Sequence, residues 1–338
     1  MDEHLRIPEG TRVLVTGATG FTGEVLTKKL LQQGARVRAI ARSRSDLTPF
    51  DGSEIEWVRG DVYDPDVVAQ AVTGINYLFH VAAAYREANI SDDVYEKVHL
   101  TSTQLLARAL NGQHGFQRFL HVSTVGVHGH IDDPPADESY RFNPGDVYQR
   151  TKAAAETWIT EYSREQGLPV TVVRPAAIYG PGDRRLLKIF KMATKPIFPL
   201  FGTGQGLYHL IHVEDLTDIF IHAALHPAGI GECFIAGNPE PSRLKDIVTM
   251  IASELGNTSL KFVRFPAWPL FVAADLCELV CKPLGIDPPL YRRRVAFFTK
   301  DRAFNTTKLQ QLLGYRCCVD TNAGLRLTAR WYRERGWL

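Results

Sequence analysis

The sequence is poor in several features that would each indicate a particular class of protein. It has five cysteines among 338 residues, at positions 233, 277, 281, 317 and 318, and their spacing matches no metal site. No run approaches the ~18 apolar residues of a membrane-spanning helix, and the N-terminus lacks a signal-peptide pattern. The net charge is only +2, which gives no electrostatic basis for binding nucleic acid. We therefore expect a reduced, cytoplasmic protein without metal or nucleic acid, whose partner is a small-molecule substrate.

Glycine, by contrast, is concentrated near the N-terminus. The apolar run from Arg12 to Thr16 leads through Gly17, Gly20 and Gly23 into a helical pattern that begins near Phe21. Glycines at this spacing allow a sharp turn and a close approach to a pyrophosphate, which the helix N-terminus also attracts. The stretch predicts a dinucleotide site. A glycine-rich turn before an ordinary helix is the alternative.

The residues after the second predicted strand, at 36–41, bear on the choice of dinucleotide. An acidic residue at this point would bind the ribose 2′-hydroxyl of NAD, whereas an arginine there can pair with the 2′-phosphate of NADP. The sequence has Ala41 and Arg42. We therefore expect NADP, with NAD as the alternative cofactor and an exposed loop arginine as the alternative interpretation of Arg42.

Three more apolar runs, at 55–59, 76–80 and 119–124, predict further parallel strands. Asp61 follows the first of them, in position to contact the adenine. Small side chains after the second, including Ala82 and Ala83, would let a cofactor lie against the backbone. Hydroxyl groups after the third lie where open α/β sheets bind ligands.

Tyr148 and Lys152 carry the argument for catalysis. They are four residues apart in a helical pattern, so both side chains lie on one face. A nearby ammonium favours the phenolate of a tyrosine, whose ordinary pKa near ~10 makes it a poor base. Tyr148 could then transfer a proton as hydride moves to or from a nicotinamide, while Ser123 or Thr124 orients the substrate oxygen.

Together these motifs resemble the extended short-chain dehydrogenase/reductases of the NAD-dependent epimerase/dehydratase superfamily. The resemblance covers nearly the whole chain. Within the superfamily, the sequence resembles the hydroxysteroid dehydrogenase and dihydroflavonol reductase branches. Its elements occur in the family's order: Gly17, Gly20 and Gly23, then Asp61, Val81-Ala82-Ala83, Ser123-Thr124, Tyr148 with Lys152, and the stretch 174–182 from Arg174-Pro175 to Pro181-Gly182.

The resemblance implies an α/β fold, a Rossmann-type doubly wound parallel sheet with a smaller C-terminal substrate lobe. Residues 1–175 would form the cofactor domain, to which some later segments return, and 176–338 mainly the lobe. It also implies a homodimer and a catalytic set of Thr124 or Ser123, Tyr148 and Lys152. The residues expected to bind the cofactor are Gly17, Thr19, Gly20, Phe21, Thr22, Gly23, Arg42, Asp61, Val62, Ala82, Ala83, Tyr148, Lys152, Pro175 and Ile178.

Three positions need separate attention. His99 stands where the family commonly has an asparagine, which puts any water or backbone arrangement that depends on the asparagine in doubt. Counting back from Gly129 favours Thr124 over Ser123 as the catalytic hydroxyl. Tyr208 stands where members acting on nucleotide sugars have a diphosphate-binding arginine, so only Arg184, Arg185 or the cluster at 292–294 could replace it.

The segment Trp268 to Cys281 is strongly apolar and of helical length, and Arg292-Arg293-Arg294 follow it. It is too short to span a bilayer. We expect a buried helix or a lid over an apolar substrate, with Cys277 and Cys281 in the core. A membrane-surface anchor is the alternative.

These observations favour an NADP-dependent oxidoreductase that acts on a hydroxyl or ketone of a fairly apolar, steroid- or flavonoid-like molecule. A nucleotide-sugar epimerase or dehydratase is the second hypothesis. A non-enzymatic dinucleotide sensor is the third, and the presence of both Tyr148 and Lys152 counts against it.

Overall fold

The structure is a computed structural model that describes residues 5–84, 91–202, 204–281, 283, 288 and 301–338. The arginines at 292–294, considered above as phosphate ligands, lie outside the described residues.

Seven parallel strands form the main sheet, in the order β11-β6-β5-β4-β1-β2-β3. The strands are β1 Arg12–Thr16, β2 Arg36–Ala41, β3 Ile55–Arg59, β4 Tyr77–His80, β5 Arg118–Val122, β6 Val170–Pro175 and β11 Cys233–Ala236. This order, which reverses direction between β1 and β4, is that of the Rossmann fold. The predicted fold class is confirmed.

Helices cover both faces of the sheet. They are α1 Phe21–Gln32, α2 Pro65–Val72, α3 Asp92–Glu96, α4 Ser102–Leu110, α5 Val147–Gln166 and α7 Val213–Leu225. Alternate residues of β1 point to opposite faces, so Val13 and Val15 join a core with α1 and α7, whereas Leu14 joins a core with α2, α4 and α5. The central strands are therefore buried on both sides, which explains their continuous apolar runs.

The helical segment between β4 and β5 is interrupted by a π turn at Lys97–Thr101, between α3 and α4. Such wide turns occur frequently at functional sites. His99 lies in this turn with 1% of its surface exposed. The sequence pattern predicts one continuous helix over about 92–111 and gives no sign of the turn.

The later part of the chain forms most of the smaller lobe, although α7 and β11 belong to the main sheet layers. Its remaining elements are β7 Ala177–Tyr179, α6 Leu187–Ala193, β8 Ile197–Phe201, β9 Leu207–Tyr208, β10 Leu210–His212, β12 Ser242–Arg243, α8 Leu244–Glu254, β13 Lys261–Phe265, α9 Trp268–Cys281, α10 Thr307–Leu313 and α11 Thr321–Glu334. The lobe has a core of its own, in which Phe190, Ile251 and Tyr332 are fully buried. The strands pair as β7 with β10, β8 with β13 and β9 with β12.

Helix α9 has the predicted bounds, but the expectation that it is buried is wrong. Ala274 is its one buried residue, and Trp268, Leu276, Leu279 and Val280 are each more than half exposed. No α9 side chain borders the cavity described below, so within the described part of the chain α9 is not a lid. Apolar composition identified the helix but could not tell whether another element covers it.

Candidate active site

A cavity of about 680 Å³ lies at the carboxyl ends of the central strands. Every residue predicted to bind cofactor or to act in catalysis borders it: Gly17, Thr19, Gly20, Phe21, Thr22, Gly23, Arg42, Asp61, Val62, Ala82, Ala83, Ser123, Thr124, Tyr148, Lys152, Pro175 and Ile178. Residues of the smaller lobe complete its wall. The cavity thus joins the two parts of the chain that the sequence assigned to cofactor and to substrate.

The glycine loop leaves no room for side chains. Gly17 has φ +73°, and a Cβ there would lie 2.8 Å from the backbone of Ala82. A Cβ on Gly23 would lie 2.0 Å from the carbonyl oxygen of Gly17. The first intrahelical bond of α1 runs from Glu24 N to Gly20 O, so the N–H groups of Phe21, Thr22 and Gly23 precede the helical ladder. This bare cradle at a helix N-terminus fits the pyrophosphate of a dinucleotide.

The end of β2 forms another part of the wall. Ala41, Arg42 and Ser45 border the cavity here, and none of them is acidic. Arg42 is exposed at the rim. Asp61 borders the cavity after β3, and its charge helps burial raise the pKa of the neighbouring Tyr63. The part of the wall that β2 contributes can therefore accept an anionic group beside Arg42.

Lys152 is almost completely buried, with 2% of its surface exposed. Its Nζ donates to the carbonyl oxygen of Val122 at 2.8 Å, which ties α5 to the end of β5. Burial lowers the pKa of Lys152 to about 8, and the carboxylate of Glu156 opposes the shift. At neutral pH the group is still mainly an ammonium, so a positive charge is held one helical turn from Tyr148.

The two candidate hydroxyls have different surroundings. The Ser123 hydroxyl donates to Glu156 Oε2 at 2.5 Å, and Glu156 Oε1 accepts from Arg174 Nε at 2.9 Å. Thr124 Oγ1 accepts from the backbone N–H of Gly126 at 3.0 Å and keeps its own proton to donate. The Ser123 proton is thus committed to a buried ion pair, which is consistent with Thr124 as the hydroxyl that contacts substrate.

His80 links the end of β4 to the π turn. The Thr103 hydroxyl donates to the carbonyl oxygen of His99, and the Ser102 hydroxyl donates to that of Val98, each at 2.6 Å. Because the proton of each hydroxyl is used in this way, both oxygens must accept from His80 Nε2, at 3.1 Å for Thr103 and 3.2 Å for Ser102. His80 Nδ1 therefore accepts from Thr16 Oγ1 at 2.8 Å, and burial lowers the pKa of His80 to about 3.

The half of the cavity that the smaller lobe lines is mainly apolar. Its aliphatic and aromatic lining comprises Leu186, Ile189, Phe190, Leu244, Ile247, Phe304 and Leu325. Polar groups are Tyr208, His209, Arg185 and Arg302, of which Arg185 also pairs with Asp183 at 2.9 Å. Arg184, the other arginine proposed from the sequence, does not border the cavity and lies over the ring of Trp337.

Sequence reasoning missed Arg302 and Phe304. Arg302 reaches the site through a β-bridge with Tyr208, 94 positions earlier in the chain. A contact between residues this far apart leaves no local pattern, so only the fold could reveal it.

Residues 13–237 match the NAD dependent epimerase/dehydratase family. The match runs from β1 to the end of β11 and spans the glycine loop, Tyr148, Lys152 and the stretch after β6. The chain belongs to this family. Its members use NAD, and they include dehydrogenases, epimerases and dehydratases. The chain is therefore an oxidoreductase of this NAD-dependent family, whose substrate the family does not specify.

Two relatives show the range. The 3 beta-hydroxysteroid dehydrogenase/Delta 5-->4-isomerase of Mycobacterium tuberculosis (strain ATCC 25618 / H37Rv) is 30% identical over 335 residues, which cover 93% of this chain and 88% of the relative. The trifunctional UDP-glucose dehydratase, epimerase and reductase RHM2 of Arabidopsis thaliana is 27% identical over 348 residues. These cover 95% of this chain but only 47% of RHM2, so the chain spans about half of that protein.

Among solved structures, the crystal structure of gox2253 is similar to this chain with a TM-score of 0.81 and 28% identity. The similarity covers 97% of this chain and all of gox2253, and so extends through both the cofactor half and the lobe. Among the described residues, no helix is both long and apolar enough to cross a membrane.

Buried neutral histidines make stability dependent on pH. Burial lowers the pKa of His80, His99 and His121, so below the ordinary value near ~6.5 the unfolded chain binds protons that the folded chain does not. We expect the free energy of unfolding to fall between pH 7 and pH 5, by up to ~1.4 kcal/mol per pH unit below ~6.5 for each histidine. Urea unfolding at both pH values measures it.

The variant His80→Gln should flatten this dependence by about one proton, because the folded and unfolded chains then no longer differ in the protonation of this residue. An identical pH dependence in His80→Gln and the unaltered protein would contradict the assignment of His80.

Proposed function

We propose that the protein is an NADP(H)-dependent oxidoreductase that transfers hydride between the cofactor and a hydroxyl or ketone carbon of a fairly apolar molecule. The observation that carries this proposal is that Tyr148 and Lys152 border a single cavity shared by the glycine cradle and an apolar substrate wall. A proton-transferring group is needed where those two halves meet. The predicted homodimer and cytoplasmic location are proposals that accompany it.

In the proposed reaction, a bound nicotinamide supplies or accepts the hydride. Tyr148 donates its phenolic proton to the substrate oxygen during reduction and accepts it back during oxidation. The ammonium of Lys152, fixed by the carbonyl of Val122, stabilises the phenolate that remains. Thr124 donates a hydrogen bond to the same substrate oxygen and so orients the carbonyl carbon.

NADP is proposed over NAD because of the wall at the end of β2. The small side chain of Ala41 is followed by the cation of Arg42, and both border the cavity. A 2′-phosphate would gain a charge-assisted contact there, whereas the 2′-hydroxyl of NAD would find no carboxylate on this strand end.

The apolar lining of the lobe supports an apolar substrate, since area removed from water contributes about 25 cal/mol per Å². A diphosphate would instead need paired donors. Arg185 and Arg302 border the cavity, and this observation favours a nucleotide-sugar epimerase or dehydratase as the second candidate. Burial raises the pKa of Tyr208, so its hydroxyl would meet a diphosphate as a neutral donor.

Calorimetry distinguishes the two substrate classes. We expect steroids and flavonoid-like ketones to bind in the presence of cofactor, and UDP and GDP sugars not to bind. Micromolar binding of a sugar nucleotide, lost in Arg302→Met and accompanied by no binding of apolar ligands, would establish the second candidate instead.

The variant Tyr148→Phe should lower turnover by ~10²-fold or more with little change in cofactor affinity, because it removes one proton-transferring oxygen and almost no volume. Lys152→Met should lower both turnover and cofactor affinity. Turnover is measured as the rate of NADPH oxidation, and cofactor affinity is measured by fluorescence titration. Tyr162→Phe is a matched control on the same helix, since Tyr162 stacks on Trp158 and does not border the cavity. Near-normal turnover in Tyr148→Phe would remove Tyr148 from the mechanism.

Arg42→Ala should weaken NADPH binding by ~1–3 kcal/mol through the loss of a charge-assisted contact, and leave NADH binding nearly unchanged. Fluorescence titration of both cofactors tests this. Arg44→Ala is the control, because Arg44 is also exposed but does not border the cavity. Tighter binding of NADH than of NADPH by the unaltered protein would show that the cofactor is NAD.

A further inference from the structure

His99 contacts three separate parts of the site. Its Nε2 lies 3.1 Å from the backbone nitrogen of Ala84, just beyond β4, and its Nδ1 lies 2.8 Å from Thr151 Oγ1 on α5. Its ring also meets the ring of Tyr148 edge to face, with centroids 5.4 Å apart and an interplanar angle of 82°. A single buried imidazole thus joins the cavity wall, the catalytic helix and the candidate proton donor.

We propose that His99 is a positioning residue that holds the Tyr148 ring in place, and that it does so as a neutral imidazole with its proton on Nδ1. The first part rests on the proposed role of Tyr148, whereas the proton position follows from hydrogen bonding alone and can be tested separately.

The hydrogen-bond partners fix the tautomer. The backbone N–H of Ala84 can only donate, so Nε2 must carry a lone pair. The proton of the neutral ring is therefore on Nδ1 and is donated to Thr151 Oγ1. The Thr151 hydroxyl in turn donates to the carbonyl oxygen of Val147 at 2.9 Å or of Tyr148 at 3.2 Å. Each group in this chain has a partner of the correct kind.

Protonating His99 would place a second N–H against that of Ala84. The surroundings oppose this charge, since burial, Lys152 on α5 and His80 on β4 all lower the pKa of His99. The ring of Tyr95 on α3 lies 6.0 Å away and adds no charge. The positioning contact is therefore expected to persist throughout the neutral and mildly acidic range.

The contacts act on the first turn of α5, where Tyr148 is only partly buried. Asp146 caps the backbone of this turn through Gln149 N at 2.8 Å, but that bond does not orient the Tyr148 ring. The imidazole of His99 can orient the Tyr148 ring, because it packs against that ring. It also binds the start of α5 through Thr151. Small misplacements of a reacting group can lower a rate by ~10²-fold, so this packing bears on turnover.

Two substitutions separate the two contacts. His99→Gln retains a side-chain oxygen at the position of Nε2 that can accept from Ala84 but has no ring, whereas His99→Phe retains a ring and cannot accept. We expect His99→Gln to lower kcat by ~10-fold or more while the cofactor Kd and the Tm change little. His99→Phe should recover part of kcat but weaken cofactor binding, because the buried N–H of Ala84 loses its partner.

A merely structural role would lower Tm, cofactor affinity and kcat in parallel in both variants, and that result would overturn the positioning role. Unchanged kcat in His99→Gln would also overturn it. His222→Gln is the control for loss of a buried imidazole, since His222 lies on α7, bonds to the carbonyl of Leu313 at 2.7 Å and does not border the cavity. It should leave kcat unchanged.

Nitrogen-15 NMR of the imidazole rings tests the tautomer without any assay of turnover. The His99 signals, identified by their loss in His99→Gln, should show a protonated Nδ1 and a bare Nε2 from pH 5 to pH 8. The ring protons of Tyr148, identified through Tyr148→Phe, should shift in His99→Gln and return towards their original positions in His99→Phe.

A proton on Nε2, or titration of His99 within that range, would overturn the proposal, as would Tyr148 signals that ignore both variants. Absence of turnover with every ketone tested would instead count against the proposed function, and the NMR results would still decide the placement of His99.

Discussion

The site depends on a close approach between two backbones. Gly17, at the turn after β1, lies so near Ala82, just beyond β4, that even a methyl group between them would overlap the chain. Thr16 Oγ1 accepts from the N–H of Ala82 at 3.2 Å and fixes the same pair of strand ends from the side. With these ends locked together, the glycine cradle and the small-residue wall border the same cavity. The remaining parts of the site are arranged around that space.

A second group of contacts fixes α5 against this frame. Lys152 binds the end of β5, and the ion pair of Glu156 with Arg174 joins α5 to β6 in a site where both side chains are almost fully buried. Removing one partner of such a pair leaves the other charge buried, at a cost of roughly 3–5 kcal/mol. Tyr148 and Lys152 therefore lie on a helix held rigidly to the sheet, which suits the proposed reaction because that reaction needs precise positioning.

The sequence predicted the features that depend on residues close together in the chain, and it missed those that depend on contacts between distant residues. The strands at 12–16, 36–41 and 55–59 were predicted with the bounds that the structure gives, because the pattern of apolar residues along each strand is local. Tyr148 and Lys152 could be paired because helical spacing is also local. Arg302 could not be placed, since its β-bridge to Tyr208 depends on the path of the lobe. The burial expected for α9 was wrong because composition does not reveal what packs against a helix.

The π turn at Lys97–Thr101 makes the length of the chain between β4 and β5 significant. A π turn contains an extra residue relative to an α-helix, and if the same residues wound as a regular α-helix instead, everything after the turn would be rotated by about 100°. Ser102 and Thr103 would then turn away from His80, and a regular helix would be gained at the loss of two buried hydrogen-bond partners. The irregular turn thus sets the register of the helix that follows it. Because the turn takes up one extra residue, the side chains after it face the sheet.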